Sequence, residues 1–534
     1  ESLQEVRQAL QLTDKQLMQD KIEVPAYRML YLDETLQENA MMEVIRDVSF
    51  ASRIENLQNP DFEKEYVPDS LKGILREYQK AGAAWIGMLY SNQFGGILAD
   101  DMGLGKTLQV ISFLLVEHTG CSLIVCPASL VYNWKHELER FAPSLKADMV
   151  TGNVQQRKEV LDRWKEVDVL ITSYDLLRRD ITDYQELHFF CEVIDEAQYI
   201  KNHGTQAARA VKQVQTGFRL ALTGTPIENR LSELWSIFDY LMPGYLYSYQ
   251  RFRTELEQPI VQHKDEDAAK RLQRLIRPFV LRRLKKEVLQ DLPDKLEENL
   301  YADMDGEQQE LYDAHVRRMK LMLEEKSDEE IRTDKIEILA ELTRLRQLCC
   351  DPALLYDNYK GGSAKTELVR GLIRNAVENG HKVLLFSQFT TMLERLYRIL
   401  EEEKIASHML TGATPKEKRI EMVESFAHDE VPVFCISLKA GGTGLNLTGA
   451  DIVIHYDPWW NVAVENQATD RAHRIGQKNV VTVYKLIVKG TIEEKIIKLQ
   501  QMKKELAEEI LSGDEIKTAS FQREELLELL EERF

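Results

Sequence analysis

The sequence predicts an α/β protein with two parallel-sheet lobes and helical insertions between them. From Leu71 to Leu241, short apolar runs alternate with helical patterns, which is typical of a parallel sheet covered on both faces. A second series of the same kind begins near Lys382, after a charged stretch in which no clear strand is predicted. A chain of 534 residues is too long for one core, so several structural units are expected.

The apolar runs give the predicted strands in chain order. In the first lobe they are GILAD, SLIVCP, DVLITSY, CEVIDEAQ and RLALTGTP. In the second lobe they are KVLLFSQF, SHMLTG, VPVFCISL, ADIVIHYD and VVTVYKLIV. Open parallel sheets bind ligands at the carboxyl ends of their strands, so functional side chains are expected in the loops that follow these runs.

The patterns divide the chain into five segments. They are a helical N-terminal segment over 1–65, a first lobe over 66–230, helical protrusions and a linker over 231–345, a second lobe over 346–490, and a C-terminal brace helix with an acidic tail over 491–534. Helical spacing of Val44, Val48 and Ala51 supports the first of these. Leu281–Lys295 is expected to lead out of the first lobe. Thr491–Leu511 has the apolar spacing of an amphipathic helix, for which packing as a brace is favoured and docking of a partner is the alternative.

Composition limits the function classes. The hydrophobic share of 44% and the charged share of 29% are ordinary for a globular protein, and no apolar run is long enough to span a membrane. The net charge of −19 argues against a non-specific polyanion binder, although a local basic groove is enough to engage phosphates. Many of the acidic residues lie in two segments, Glu324–Glu330 and Glu524–Glu532. The N-terminus, ESLQEV, lacks Met, so we expect a piece of a longer protein.

The six cysteines are expected to be buried reduced thiols rather than metal ligands. None forms a CxxC pair, and several lie in apolar runs. Such thiols suit a reducing cytosol or nucleus.

The sequence DDMGLGKT at Asp100–Thr107 predicts a phosphate-binding loop between a strand and a helix. Glycines let backbone amides approach the phosphates, Lys106 would reach the β- and γ-phosphates, and the Thr107 hydroxyl would hold Mg²⁺. The general pattern has glycine where this chain has Asp100. The loop residues expected to bind the nucleotide are Asp101, Gly103, Gly105, Lys106 and Thr107.

The run CEVIDEAQ places two carboxylates at the end of a strand. Asp195 would hold Mg²⁺ through water, and Glu196 would act as the general base on the attacking water. LTGTPIEN follows the next strand, and its hydroxyls, Thr223 and Thr225, are expected to sense Gln198 and the γ-phosphate. Upstream, Gln79 in LREYQKAG is the candidate for recognising the adenine edge.

The second half carries a remote arginine pair. The motif QATDRAHRIGQ is expected to place Arg471 and Arg474 on one helical face, from which they could stabilise a transferring phosphoryl group. A glycine-rich loop at Ser437–Asp451 follows a predicted strand. In YDPWWN, Trp459 and Trp460 fit either a nucleic-acid or inter-lobe surface or a place in the core.

Together these motifs resemble those of the Swi/Snf-type helicase-like ATPases. LREYQKAG, DDMGLGKT, IDEAQ, LTGTPIEN, LRQLCCDPALL, LLFSQF, SLKAGGTGLNL, YDPWWN and QATDRAHRIGQ occur in that family's order and spacing over residues 66–515. The resemblance implies two RecA-like lobes, with Mg²⁺ and ATP bound between them. Asp100 is itself a family feature. Gln198 is a departure, because many members have His there.

The resemblance also implies roles for individual residues. The ATP site would comprise Gln79, Lys106, Thr107, Asp195, Glu196, Arg471 and Arg474. The DNA contacts would fall at Ser129, Ser387, Gln388, Thr411, Lys439 and Trp459. The implied partners are double-stranded DNA and DNA-bound proteins as cargo, without a membrane.

The resemblance favours a bacterial or archaeal monomeric motor that moves along duplex DNA and remodels protein–DNA complexes, as chromatin remodellers of this family do. It would act in the cytoplasm at the nucleoid, or in the nucleus if the protein is eukaryotic. Two other functions stay open. One is a strand-separating helicase, although LTGTP differs from the corresponding SAT motif of RNA helicases. The other is a non-catalytic, ATP-gated binding module.

Overall fold

The structure is a computed structural model. It describes residues 28, 29, 31, 33, 45–58, 66–224, 230–289, 293, 295–304, 306–325, 335–441, 447–498 and 500. These residues form two compact units, which divide between Val288 and Leu289. Within the described residues, no helix is both long and apolar enough to cross a membrane.

A parallel sheet of seven strands forms the centre of the first unit, in the order β3-β4-β2-β5-β6-β1-β7. Every neighbouring pair is parallel. The five predicted strands are confirmed, and β3 and β7 are additional short strands. The strands are β1 (Gly96–Leu98), β2 (Ser122–Cys126), β3 (Ala147–Met149), β4 (Val169–Ser173), β5 (His188–Asp195), β6 (Gln215–Leu222) and β7 (Val280–Leu281).

Helices connect these strands, as parallel pairing requires. Asn153 shows one local cause, because its side chain accepts from Gln156 N while Gln156 reaches back to Asn153 N, which starts a helix. The helices of this unit are Val48–Gln58, Glu77–Ser91, Lys106–Val116, Val131–Phe141, Val154–Asp162, Tyr174–Arg179, Ile181–Tyr184, Gln206–Gln213, Leu231–Leu241, Tyr249–Phe252, Gln258–His263, Glu266–Ile276 and Lys285–Val288.

The second unit is built on a parallel sheet of six strands, in the order β10-β11-β9-β12-β13-β8. All of its pairs are parallel. Two parallel α/β units confirm the predicted fold class. The strands are β8 (Lys295–Ala302), β9 (Val383–Ser387), β10 (Ser407–Leu410), β11 (Val433–Ser437), β12 (Ile452–His455) and β13 (Val481–Val488).

Strands β7 and β8 contradict the prediction that residues 231–345 hold no strand. Strand β8 pairs with β13 along its whole length and belongs to the second sheet. Its sequence, KLEENLYA, lacks an apolar run because it is an edge strand whose residues are mostly exposed. A search for apolar runs therefore overlooks it.

Helices pack around the second sheet and against one another. The helix that begins at Ile492 buries Ile492 and Ile496 in a cluster with Leu323, Leu345 and Val488. Its start therefore packs as a brace, whereas Leu499, Leu506 and Ile510 of the predicted apolar face lie outside the described side chains. The other helices are Gly306–Glu325, Lys335–Cys350, Ala364–Glu378, Thr390–Glu402, Lys416–Phe426, Leu438–Gly441 and Val462–Thr469.

All six cysteines are free and buried, as predicted from the apolar runs around them. Burial raises the pKa of the Cys121 and Cys435 thiols to about 12. These side chains therefore pack as small apolar groups in the two cores.

Candidate nucleotide-binding site

The loop between β1 and the helix Lys106–Val116 has the backbone of a phosphate cradle. Gly103 and Gly105 adopt positive φ angles of 84° and 76°, which favour glycine. Gly105 is the N-cap, and no side chain within the described residues caps this helix. A helix N-terminus without a side-chain cap attracts anions. Lys106 Nζ donates to the Asp100 carbonyl oxygen at 2.5 Å, and Thr107 is half-buried in the first turn.

Gln79 lies against the same loop. Its Nε2 donates to the Leu104 carbonyl oxygen at 3.0 Å, and its Oε1 accepts from Arg76 N at 2.9 Å. A Cβ on Gly105 would lie 2.5 Å from Gln79 Nε2, so the amide of Gln79 approaches the loop backbone closely at a position whose φ angle favours glycine. The predicted adenine-recognising residue and the phosphate loop are thus brought together by direct contact.

The two carboxylates of IDEAQ lie where β5 ends. Trp134 Nε1 donates to Asp195 Oδ2 at 2.9 Å, and Glu196 N donates to Asp195 Oδ1 at 2.9 Å. Glu196 is buried and has a φ angle of 53°, a left-handed conformation that is uncommon for a residue with a side chain. Such local strain is often found at functional positions.

Thr223 continues this arrangement from the end of β6. Gln198 Nε2 donates to Glu196 Oε2 at 2.8 Å, and Thr223 Oγ1 donates to Gln198 Oε1 at 3.1 Å. A Cβ on Gly224 would lie 4.0 Å from Lys106 Nζ, so the end of β6 also borders the phosphate loop. The structure thus brings residues of the four predicted motifs of the first lobe together. Thr225 lies outside the described residues.

Electrostatics at Asp195 fit a divalent cation. Burial, followed by the adjacent charge of Glu196, raises the pKa of Asp195 to about 7, while Trp134 and Lys106 oppose that rise. A cation held by Asp195 and the Thr107 hydroxyl would offset the cost of burying this charge. These two residues therefore fit the predicted Mg²⁺.

Motif spacing did not reveal Arg283. Its guanidinium forms a fork with the buried carboxylate of Asp100, from Nε to Oδ1 at 2.9 Å and from Nη2 to Oδ2 at 2.5 Å. The sequence shows Arg283 only as one of several basic residues in the charged run Leu281–Lys295. The run does not indicate which of these side chains packs against the phosphate loop.

In the second unit, the prediction that Arg471 and Arg474 share a helical face is wrong. The helix ends at Thr469, and both arginines lie in the turns that follow. Arg471 N and Ala472 N bond three residues back instead of four, and the Arg471 carbonyl accepts from Leu447 N at 3.0 Å. The Arg471 carbonyl, which would accept an intrahelical hydrogen bond if the helix continued, thus accepts from Leu447 N instead. Arg471 is buried and Arg474 is half-buried.

The predicted DNA-contact residues mostly follow strand ends. Ser129 is exposed in the turn after β2, and Gln388 is half-buried after β9. Ser387 is buried, and its hydroxyl donates to Asp457 Oδ1 at 2.5 Å. Thr411 is buried after β10, and the backbone of Lys439 lies in the short helix after β11.

Trp459 takes a structural position in the second unit. It is half-buried, packs against the core, and its ring lies 5.1 Å from the Arg346 guanidinium carbon. Arg346 belongs to the motif LRQLCCDPALL, but the sequence did not predict its role. Its Nη2 donates to the Pro458 carbonyl oxygen at 2.6 Å and lies 3.4 Å from Asp457 Oδ2, so it fixes the loop after β12.

Comparison with known proteins identifies similar chains. An uncharacterized ATP-dependent helicase of Mycoplasma genitalium is 41% identical over 86% of this chain and 44% of its own length. Another, of Mycoplasma pneumoniae, is 39% identical over 96% of this chain and 49% of its own length. The chain thus spans about half the length of these relatives. The solved Sulfolobus solfataricus SWI2/SNF2 ATPase core in complex with dsDNA is 35% identical, covering 84% of this chain and 97% of that chain with a TM-score of 0.42.

Family models match most of the chain. The SNF2-related domain matches residues 78–354, and the helicase conserved C-terminal domain matches residues 364–476. The bacterial SNF2 helicase associated family matches residues 1–68, the stretch in which the sequence alone held no chemical motif. The first match covers more than half of the 534 residues. The chain therefore belongs to the SNF2-related family of helicase-like ATPases.

Proposed function

We propose that this chain is an ATP-dependent translocase on double-stranded DNA that remodels protein–DNA complexes. The observation that carries the proposal is the hydrogen-bonded series from Glu196 through Gln198 to Thr223, beside the loop of Lys106. This series joins a candidate base to a strand end next to the phosphate loop. A change at the phosphates on hydrolysis could therefore shift the end of β6, and a motor requires such coupling between hydrolysis and movement.

In this proposal the first lobe binds ATP through its loop amides, Lys106 and Gln79. Thr107 and Asp195 would hold Mg²⁺, which supplies charge neutralisation at the phosphates when bound. Glu196 accepts a proton from the attacking water, and Gln198 holds its carboxylate in place.

Arg471 and Arg474 would complete the site from the second lobe. A guanidinium stabilises the spreading charge of a transferring phosphoryl group better than a point charge does. Leu447 N donates to the Arg471 carbonyl oxygen, which fixes the backbone at Arg471, and the residue is buried rather than a surface arginine. Hydrolysis would then open the lobes and advance the motor.

Binding to DNA would occur through phosphates. Phosphate contacts are independent of sequence and weaken steeply with salt. The net charge of −19 requires a local basic groove, to which the predicted DNA-contact residues would contribute. A monomeric motor at the bacterial nucleoid, with DNA-bound proteins as cargo, completes the proposal.

The test is ATP hydrolysis with no nucleic acid, single-stranded DNA, duplex DNA and duplex RNA, each at matched nucleotide concentration. The proposal predicts strong stimulation by duplex DNA alone. Equal stimulation by single strands or RNA would contradict it and favour a helicase. Absence of hydrolysis alongside tight ATP binding would instead favour an ATP-gated binding module.

A forked duplex separates translocation from strand separation. The proposal predicts that the chain hydrolyses ATP on this substrate without releasing a strand. Release of the strand at a rate that follows ATP turnover would make the chain a helicase.

A further inference from the structure

Asp100 occupies the position that is glycine in the general phosphate-loop pattern, and its surroundings explain why a carboxylate fits. The residue is fully buried, and the fork from Arg283 engages both of its oxygens. Gln109 Nε2 also donates to Asp100 Oδ2, at 3.0 Å. The buried charge thus has an ionic partner and a further hydrogen bond, which a buried carboxylate requires.

The same guanidinium joins the loop to the helix that carries Gln79. Arg283 Nη1 donates to the carbonyl oxygen of Tyr78, and the guanidinium carbon lies 5.3 Å from the Tyr78 ring centroid. Tyr78 in turn donates from its hydroxyl to the Leu104 carbonyl oxygen at 3.0 Å, the atom that Gln79 also contacts. One side chain therefore holds the phosphate loop against the predicted adenine-recognising helix.

Packing around this guanidinium leaves little room. Arg283 Nη2 also donates to Gln109 Oε1 at 2.8 Å. A Cβ on Gly82 would lie 1.7 Å from Gln109 Oε1 and 2.7 Å from Arg283 Nη2. Arg283 is thus enclosed by groups with specific partners, which is expected of a preorganised support rather than of a surface cation.

Backbone groups also join the phosphate loop to the segment that carries Arg283. Ala99 N donates to the Leu281 carbonyl oxygen at 2.7 Å, and Asp101 N donates to the Arg283 carbonyl oxygen at 3.0 Å. Lys285 N donates to Asp101 Oδ2 at 2.9 Å, and the first unit ends soon afterwards, at Val288. The chain that leaves the first unit is therefore attached to the phosphate loop.

We propose that Arg283 is a positioning residue that holds the phosphate loop in its nucleotide-binding conformation and links it to the chain leaving the first unit. The proposal rests on the proposed function, in which this loop binds ATP. Arg283 acts through Asp100, whose carbonyl oxygen accepts from Lys106 Nζ at 2.5 Å. Displacing Asp100 would therefore displace the amine that is expected to reach the phosphates.

The test compares Arg283→Lys with a matched control in the same unit. Lysine keeps the charge but cannot form the two-pronged fork. Arg157 makes an equivalent buried fork with Asp180, at 2.5 Å from Nε and 2.9 Å from Nη2. Its Nη1 donates to the Gly152 carbonyl oxygen, which lies outside the phosphate loop. Arg157→Lys therefore measures the general cost of losing such a fork.

The readout is the Kd of a fluorescent ATP analogue with Mg²⁺ and without DNA, together with the melting temperature of each variant. Arg283→Lys is expected to raise the Kd on the order of tenfold, because misplacing a binding group costs affinity well beyond its own contact. Arg157→Lys is expected to lower the melting temperature comparably and to leave the Kd unchanged. Equal Kd values for Arg283→Lys and the wild type would overturn the proposal.

Two further measurements keep the outcomes distinct. Asp100→Asn removes the same ion pair by changing its other partner. The double variant of Arg283→Lys with Asp100→Asn should have a Kd for the ATP analogue no higher than that of the single variant with the higher Kd, because both substitutions remove one interaction. Additive losses would contradict a shared role. If the wild type itself bound no nucleotide, the proposed function would fail, whereas the inference about Arg283 fails only if the wild type binds and the variant binds equally.

Hydrogen exchange tests the link to the departing chain. Amides in residues 281–288 should exchange more slowly when the wild type binds the ATP analogue, and this protection should be lost in Arg283→Lys at saturating analogue. Protection that persists in the variant would overturn the linking role.

Discussion

The side-chain amide of Gln198 donates a hydrogen bond to the carboxylate of Glu196 at 2.8 Å. Its other end accepts from the Thr223 hydroxyl at 3.1 Å, so one amide joins the ends of two neighbouring strands. Glutamine can do this because its amide both donates and accepts. A change at either strand end should therefore reach the carboxylate of Glu196.

Replacing Gln198 with alanine should lower kcat for ATP hydrolysis by roughly tenfold or more, because the candidate base loses the group that orients it. The Kd for the nucleotide should stay close to that of the wild type. Gln198→His is the matched control, because imidazole also donates and accepts and should retain most of the activity. Equal losses from both substitutions would show that this hydrogen bond does not orient the base.

Glu196→Gln should lower kcat by about 10²–10⁴, the usual contribution of a general base, while ATP still binds. The amide keeps the size of the side chain but cannot accept the proton of the attacking water. Single-turnover hydrolysis and analogue binding, measured on the same preparation, check both parts. Normal turnover would mean that another group is the base.

Glu192 should make stability fall as pH rises. The residue is fully buried, and burial raises the pKa of Glu192 from 4.5 to about 8, against the opposing charge of Arg219. Between these values the folded state keeps a proton that the unfolded chain has lost, so the free energy of unfolding decreases with rising pH. Glu192→Gln should remove this contribution, on the order of a few kcal/mol between pH 5 and pH 8.

Denaturant unfolding at both pH values checks the prediction for Glu192. The variant should lose less stability than the wild type over this interval. Asp195 titrates in an overlapping range and is present in both proteins, so the comparison isolates Glu192. Parallel pH dependences for the two proteins would contradict the prediction.

Removing one partner of the buried pair of Lys365 and Glu493 should destabilise the second unit far more than removing one partner of an exposed pair. Their charged atoms lie 2.6 Å apart, and both side chains are fully buried. Lys365→Met would leave a buried carboxylate without its cation and should cost about 3–5 kcal/mol of unfolding free energy. Lys489→Met is the control, because its pair with Asp303 is exposed and should contribute less than about 1 kcal/mol.

Urea denaturation of these lysine variants gives the comparison directly. A double variant, Lys365→Met with Glu493→Leu, should be more stable than Lys365→Met alone, because no unpaired charge remains. A small loss for Lys365→Met, similar to that of the exposed control, would show that the buried pair is not required.

The local signals in the sequence identified the strands that carry the candidate site. Predicted strands in the first lobe end at Asp195 and near Thr223, and parallel strands place such ends on one edge of a sheet. Because β5 and β6 are neighbours and end at the same edge of the sheet, Glu196, Gln198 and Thr223 lie close together. Roles in catalysis and DNA binding remain predictions.

Local patterns in the sequence could not predict contacts between distant parts of the chain. The Arg283–Asp100 pair spans 183 positions, and nothing local distinguishes Arg283 from the other basic residues of its run. The end of the helix before Arg471 depends on a backbone bond from Leu447, which no helical pattern encodes. Strand β8 was missed because an edge strand can remain largely polar.

The most direct test of the central claim is displacement of a third strand from a DNA triplex. Duplex DNA that carries a bound third strand reports movement along the duplex without requiring its separation. The account predicts ATP-dependent displacement by the wild type and none by Glu196→Gln, with the underlying duplex intact. ATP hydrolysis stimulated by duplex DNA without displacement would contradict translocation.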